Sequence, residues 1–168
     1  MTPPTPRRAF TPLYLLLSAG FSALGILVFV AIAGVMRGGA APVSHGAPWA
    51  LAIHIGTVVP ALFLGAAVLV MKKGTRLHKL LGRIWAGLMM TTALASFGLT
   101  GLTGGIGPIH IFSVITLVSI PRAIWAIRRG NIVAHQRAMM GPYLGLLVAG
   151  LFAFTPGRYL GNMVQSLF

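Results

Sequence analysis

The sequence predicts an all-α, polytopic membrane protein with five transmembrane helices, the last four forming a four-helix bundle. Three observations carry that expectation. The chain of 168 residues is 57% hydrophobic and 8% charged, with a mean hydropathy of +0.90, whereas a soluble domain carries about a quarter charged residues. Apolar runs near the roughly 20 residues needed to cross the hydrocarbon recur along the whole length. All 13 Lys and Arg are unopposed, because the chain has no Asp or Glu, and most of them fall at the ends of those runs.

The elements follow in order. Residues 1–11 form a short basic tail, rich in Pro3, Pro4, Pro6, Arg7 and Arg8, that is expected to be disordered. The first span covers about Pro12–Met36. It is too long for a signal-peptide core and lacks a small-x-small cleavage site. Breakers Gly38, Gly39, Pro42, Gly46 and Pro48 fill the next loop, and His45 within it reads as an ordinary surface residue. The second span covers about Trp49–Met71, with Pro60 as a predicted kink. A short basic loop, Lys72–Leu77, leads to the third span, about His78–Leu102. After the glycine-rich turn Thr103–Gly107, the fourth span runs about Pro108–Ile127, with Pro121 as a second kink. The basic loop Arg128–Ala134 precedes the fifth span, about His135–Phe154. Residues 12–168 thus read as one transmembrane domain, with helix-pair repeats over about 49–102 and 108–154.

Charge sets the expected orientation. Arg7 and Arg8, then Lys72, Lys73, Arg76, Lys79 and Arg83, then Arg128, Arg129 and Arg137 form three clusters. Five spans with a cytoplasmic N-terminus put all three on the cytoplasmic side, as expected for a bacterial inner-membrane protein. The cations therefore face lipid phosphates and give no reason to expect nucleic acid. Without carboxylates the side chains can build no Asp/Glu proton relay or carboxylate metal site. The absence of Cys excludes disulfides and iron–sulfur ligation.

The two helix pairs share a pattern. Ile53-His54-Ile55 is followed by an apolar run, Lys72-Lys73-Gly74 and His78. Ile109-His110-Ile111 is followed by an apolar run, Arg128-Arg129-Gly130 and His135. His54 and His110 are offset by 56 (110 − 54), as are the two basic triplets, whereas His78 and His135 are offset by 57. One inserted residue in the second loop would account for the difference. A parallel repeat has a pseudo-two-fold axis along the membrane normal, which sets His54 opposite His110 and His78 opposite His135. The 17 residues from His54 to Met71 span about 25 Å of helix, so the two pairs lie toward opposite faces.

Two neutral imidazoles from facing helices fill both axial positions of a haem iron. The expected cofactors are therefore two b-type haems, with iron ligands His54, His110, His78 and His135. Arg122, inside the fourth span, and Arg76, Lys79, Arg83 and Arg137, around the inner histidines, are candidate clamps for haem propionates. Their plainer readings are snorkelling and positive-inside topology. Zinc or copper held by two histidines would lack ligands. Trp49, Trp85, Trp125 and Tyr143 read as belt or packing aromatics, Met89, Met90, Met139 and Met140 as core filler, and Gly56, Gly65, Gly82, Gly87 and Gly98 as points of close helix approach.

The stretches Leu77-His78-Lys79-Leu80-Leu81-Gly82-Arg83-Ile84-Trp85, Ile109-His110-Ile111-Phe112-Ser113 and His135-Gln136-Arg137-Ala138-Met139-Met140 resemble a family of predicted bacterial membrane proteins, domain of unknown function 2306, over about Trp49 to Arg158. The layout also looks like the cytochrome b561 group, whose four-helix core carries two b-type haems. That resemblance implies His54 and His110 on the outer haem, His78 and His135 on the inner one, and electron transfer between the membrane faces. The chain departs from the group in its five helices, its short length and the absence of a donor-site motif. Two readings stay open: a dihaem electron-transfer protein, in one form a transmembrane oxidoreductase served by quinone or a small anionic reductant, and a non-redox transporter or respiratory-complex assembly factor with structural or transient metal-binding histidines. Membrane lipids are partners in both, and a homodimer is compatible with either.

Overall fold

The computed structural model describes residues 23, 25, 26, 47–99, 105–155 and 165. Among them are four α-helices: α1 (Pro48–Val70), α2 (Arg76–Ser96), α3 (His110–Arg128) and α4 (Ile132–Ala153). They correspond to the second through fifth predicted spans. Of the first predicted span, only Ala23, Gly25 and Ile26 are described, and they are helical; the rest of that span and the N-terminal tail lie outside the described residues.

Each helix begins where its sequence offers a start. Pro48 occupies the first turn of α1, where its missing N–H costs nothing. Thr75 caps α2 by accepting from the His78 N–H at 3.1 Å. Asn131 caps α4 by accepting from the Ala134 N–H at 2.9 Å. These caps start α2 at Arg76 and α4 at Ile132, ahead of the expected His78 and His135. Both helix pairs turn on a glycine in the left-handed region, Gly74 at φ 79° and Gly130 at φ 75°. After α3 the turn is a Schellman motif, in which the Gly130 N–H donates to Ile127 O and the Asn131 N–H to Ala126 O, both at 3.0 Å.

The expected extra residue in the second loop is not there. Gly74 and Gly130, the caps Thr75 and Asn131, and the helix starts Arg76 and Ile132 all keep the 56-residue offset. His78 is the third residue of α2 and His135 the fourth of α4. The additional residue is a step of about 100° around the helix, so the two rings leave their helices in different directions. The loop between α3 and α4 is the shorter one, because α3 runs on to Arg128.

α2 ends at Ser96 and not at the expected Leu102. The Ala47 N–H donates to Gly98 O at 3.2 Å, tying the start of α1 to the end of α2. A Cβ on Gly98 would lie 2.6 Å from that of Ala50. The helix thus ends where Gly98 meets the start of α1. α1 and α3 continue through Pro60 and Pro121, and α4 through Pro142.

α1 packs along α2 and α3 along α4, giving two hairpins. They join mainly through α2 and α3, while α1 and α4 meet only lightly, so the pairing departs from an even two-fold arrangement. One core unites all four helices: Ala61 and Leu62 of α1, Trp85, Ala86 and Met89 of α2, Ile120 of α3, and Tyr143, Leu146 and Leu147 of α4. Gly65 admits the two aromatics, since a Cβ there would lie 2.5 Å from Trp85 Nε1 and 2.7 Å from Tyr143 Cε2.

α1 and α3 are long and apolar enough to cross a membrane. Only 17% and 28% of their most apolar stretches are buried within the bundle. The core helix of a soluble protein would be mostly buried, whereas here large apolar side chains such as Phe63, Ile111, Val114 and Val118 point outward. α2 and α4 carry polar residues in their N-terminal halves, Arg76, Lys79 and Arg83 in one and Gln136 and Arg137 in the other, which dilutes their hydropathy.

Candidate functional site

The four histidines lie at two ends of the bundle. His54 sits two turns into α1, and His110 opens α3. These rings are close enough to interact electrostatically. They belong to a polar layer spanning α1, α2 and α3. His54 Nδ1–H donates to Thr92 O at 3.1 Å. The Thr92 and Thr57 hydroxyls are 2.7 Å apart. Those of Ser96 and Ser113 are 2.6 Å apart. His110 Nε2–H donates to Ser96 O at 3.0 Å, while its Nδ1 accepts from the Gly107 N–H at 3.0 Å. Phe97 stacks on the His110 ring with centroids 5.5 Å apart. A polar group in an apolar bundle needs a partner, and this layer supplies its partners from within.

At the other end, next to the two basic loops, His78 lies within electrostatic range of His135 and Lys73. His135 Nδ1–H donates to Ala123 O at 3.0 Å. His78 Nδ1 is buried and has no hydrogen-bond partner among the described residues. Lys73 folds back onto the end of α1, where Nζ donates to Val68 O and Leu69 O. It thereby satisfies two carbonyls that the helix terminus leaves open. Burial lowers the pKa of Lys73 below the ordinary lysine value.

His54 and His110 lie at one end of the bundle and His78 and His135 at the other, within electrostatic range in each case. Arg76, Lys79, Arg83, Arg122 and Arg137 are all exposed. Arg76, Lys79 and Arg83 share one face of α2 at spacings of three and four, turned away from Trp85 and Met89 in the core. Arg122 lies about 9 Å along α3 from Arg128, within reach of the end of the helix by snorkelling.

Sequence reasoning missed the hydroxyl layer. Thr92 and Ser96, four residues apart in an apolar helix, were its available signal. It also placed Tyr143 among packing aromatics without seeing that its hydroxyl is buried and has no partner among the described residues. That ring lies 6.4 Å from Trp85, between the two histidine levels.

The family model described as "Predicted membrane protein (DUF2306)" matches residues 51–163, more than half of the chain. The chain belongs to this family. The DUF2306 match spans most of α1 and all of α2, α3 and α4, so both histidine levels fall inside it. The family description gives membrane residence and no activity. No curated protein and no solved structure matches the chain.

A haem fits some of these residues better than others. An axial ligand offers one ring nitrogen to iron and usually anchors the other on a carbonyl or carboxylate. His54 and His135 meet the second condition through Thr92 O and Ala123 O, which leaves Nε2 as the candidate ligand atom of each. His78 has the partnerless Nδ1. His110 engages both nitrogens, so it would first have to release Ser96 O. Among the described residues no three His, Cys, Asp or Glu lie together as a metal site.

Proposed function

We propose that this membrane protein is a b-type cytochrome that moves electrons between the membrane faces through two haems, one held by His54 and His110, the other by His78 and His135. What supports the reading is the repeated pattern of four helix-borne histidines, in a chain without Cys, Asp or Glu, with His54 and His110 toward one end of the bundle and His78 and His135 toward the other. When bound, haem would supply one-electron exchange at iron. The chain's own part is to present the rings, hold His54 and His135 in one tautomer through backbone carbonyls, and exclude water with the Trp85–Tyr143 core. The proposal includes five spans and a cytoplasmic N-terminus in a bacterial inner membrane. Quinone or a small anionic reductant could serve as the electron partner.

The test is an optical spectrum of the protein in mild detergent, oxidised and dithionite-reduced, with haem counted per chain. The expected result is a sharp b-type reduced band and about two haems per chain. His54→Ala and His135→Ala should each remove a different haem. A preparation that stays colourless after expression with haem precursor overturns the proposal.

One observation favours a second reading, a non-redox transporter or assembly factor with structural histidines. Both nitrogens of His110 are already satisfied within the polar layer. In that case His110→Ala lowers stability in the colourless protein and changes no spectrum.

A further inference from the structure

A groove of 330 Å³ runs between α2 and α3 on the outside of the bundle, lined by Met90, Ile120, Pro121, Ile124, Trp125 and Arg128. Five of these belong to one helical stripe of α3, and Met90 closes the groove from α2. Ile120 is fully buried, whereas Ile124, Trp125 and Arg128 are exposed. From Ile120 to Arg128 the stripe measures about 12 Å. It is apolar along its length and cationic at one end. The Arg129 guanidinium covers the Trp125 ring at 3.7 Å, so a second cation stands at the same end and holds one wall in place.

We propose that this groove is a binding site for an anionic phospholipid, one acyl chain lying along Ile120, Pro121 and Ile124, and the headgroup on Arg128 and Arg129. Charge complementarity selects the occupant. The chain has no Asp or Glu, so neither guanidinium can be neutralised from within and the counter-anion must come from outside. A free phosphate would leave the apolar stripe unfilled. A neutral quinone would fill the stripe and leave both arginines unpaired. A lipid with a net-negative headgroup satisfies both parts at once, as basic pockets between membrane helices do. The site does not depend on the haem reading.

Trp125 is a built-in reporter. In a Trp49→Phe background, fluorescence comes from Trp125 in the groove and Trp85 in the core. The protein is reconstituted in phosphatidylcholine vesicles, and quenching is compared between chain-brominated phosphatidylglycerol and chain-brominated phosphatidylcholine. The anionic lipid is expected to bind about fivefold more strongly for each cation it meets. Arg128→Gln should reduce that preference, and Arg137→Gln, exposed outside the groove, should leave it intact. Equal quenching by the two lipids overturns the proposal. So does equal loss in Arg137→Gln, which would mean diffuse surface charge, and so does displacement of the anionic lipid by an equal mole fraction of isoprenoid quinone.

Discussion

Tyr143 and Gly65 show how single residues decide the centre of the bundle. The Tyr143 hydroxyl is buried without a partner among the described residues, and leaving such a group unpaired costs about 1–3 kcal/mol. Tyr143→Phe removes the group and keeps the ring beside Trp85. It is expected to be neutral or to stabilise by about 1 kcal/mol, read as an unchanged or raised thermal midpoint in detergent; a clear fall would mean that the hydroxyl has a partner in solution. Gly65 is the counterpart, because any side chain there meets Trp85 and Tyr143. Gly65→Val should destabilise by about 1–3 kcal/mol through overpacking. Gly56 and Gly82, where an added Cβ meets nothing within 4 Å, should accept Ala without loss. All three glycines are alike in sequence context, so only the packing separates them.

At the scale of the element, the turns carry more information than the helices. Gly74 and Gly130, followed by Thr75 and Asn131, end one helix and start the next by the same device in both hairpins. Thr75→Ala and Asn131→Ala should each cost about 1 kcal/mol, and Gly130→Ala, forced to φ 75°, should cost a similar amount of about 1 kcal/mol. Thermal unfolding of the single variants checks all three. If the two cap variants prove silent, the helix starts are set by packing alone. The basic triplets made the turns legible in the sequence. The caps were legible too, since Thr75 and Asn131 are ordinary N-cap residues, but anchoring the helices on the histidines placed the starts two or three residues late and put the odd residue in the wrong segment.

For the whole molecule, the short turns put both basic loops at one end of the bundle, and the stretch between α2 and α3 at the other. The chain contains no Cys, so single cysteines report sidedness without background. Lys72→Cys and Arg129→Cys are expected to label from the same side of an intact membrane with an impermeant maleimide, and Ile106→Cys, exposed at the other end, from the opposite side. Labelling of Lys72→Cys and Arg129→Cys from opposite sides would rule out the hairpin arrangement. The unequal docking of the hairpins, close between α2 and α3 and light between α1 and α4, had no sequence signal, because the repeat predicts two equivalent contacts.

Composition and periodicity alone determined the membrane class, the four described helices and the basic turns between them, and set His54 and His110 toward one end and His78 and His135 toward the other. These are properties of local pattern: apolar runs fix helices, and equal offsets along parallel helices fix equal depth. The tertiary structure decided what each ring can do. The carbonyl of Thr92, 38 residues from His54, accepts from its Nδ1–H, and that of Ser96, 14 residues from His110, accepts from its Nε2–H. A ring's free lone pair depends on which carbonyl a neighbouring helix brings to it, and that is set by helix rotation and packing, which no spacing along the chain records.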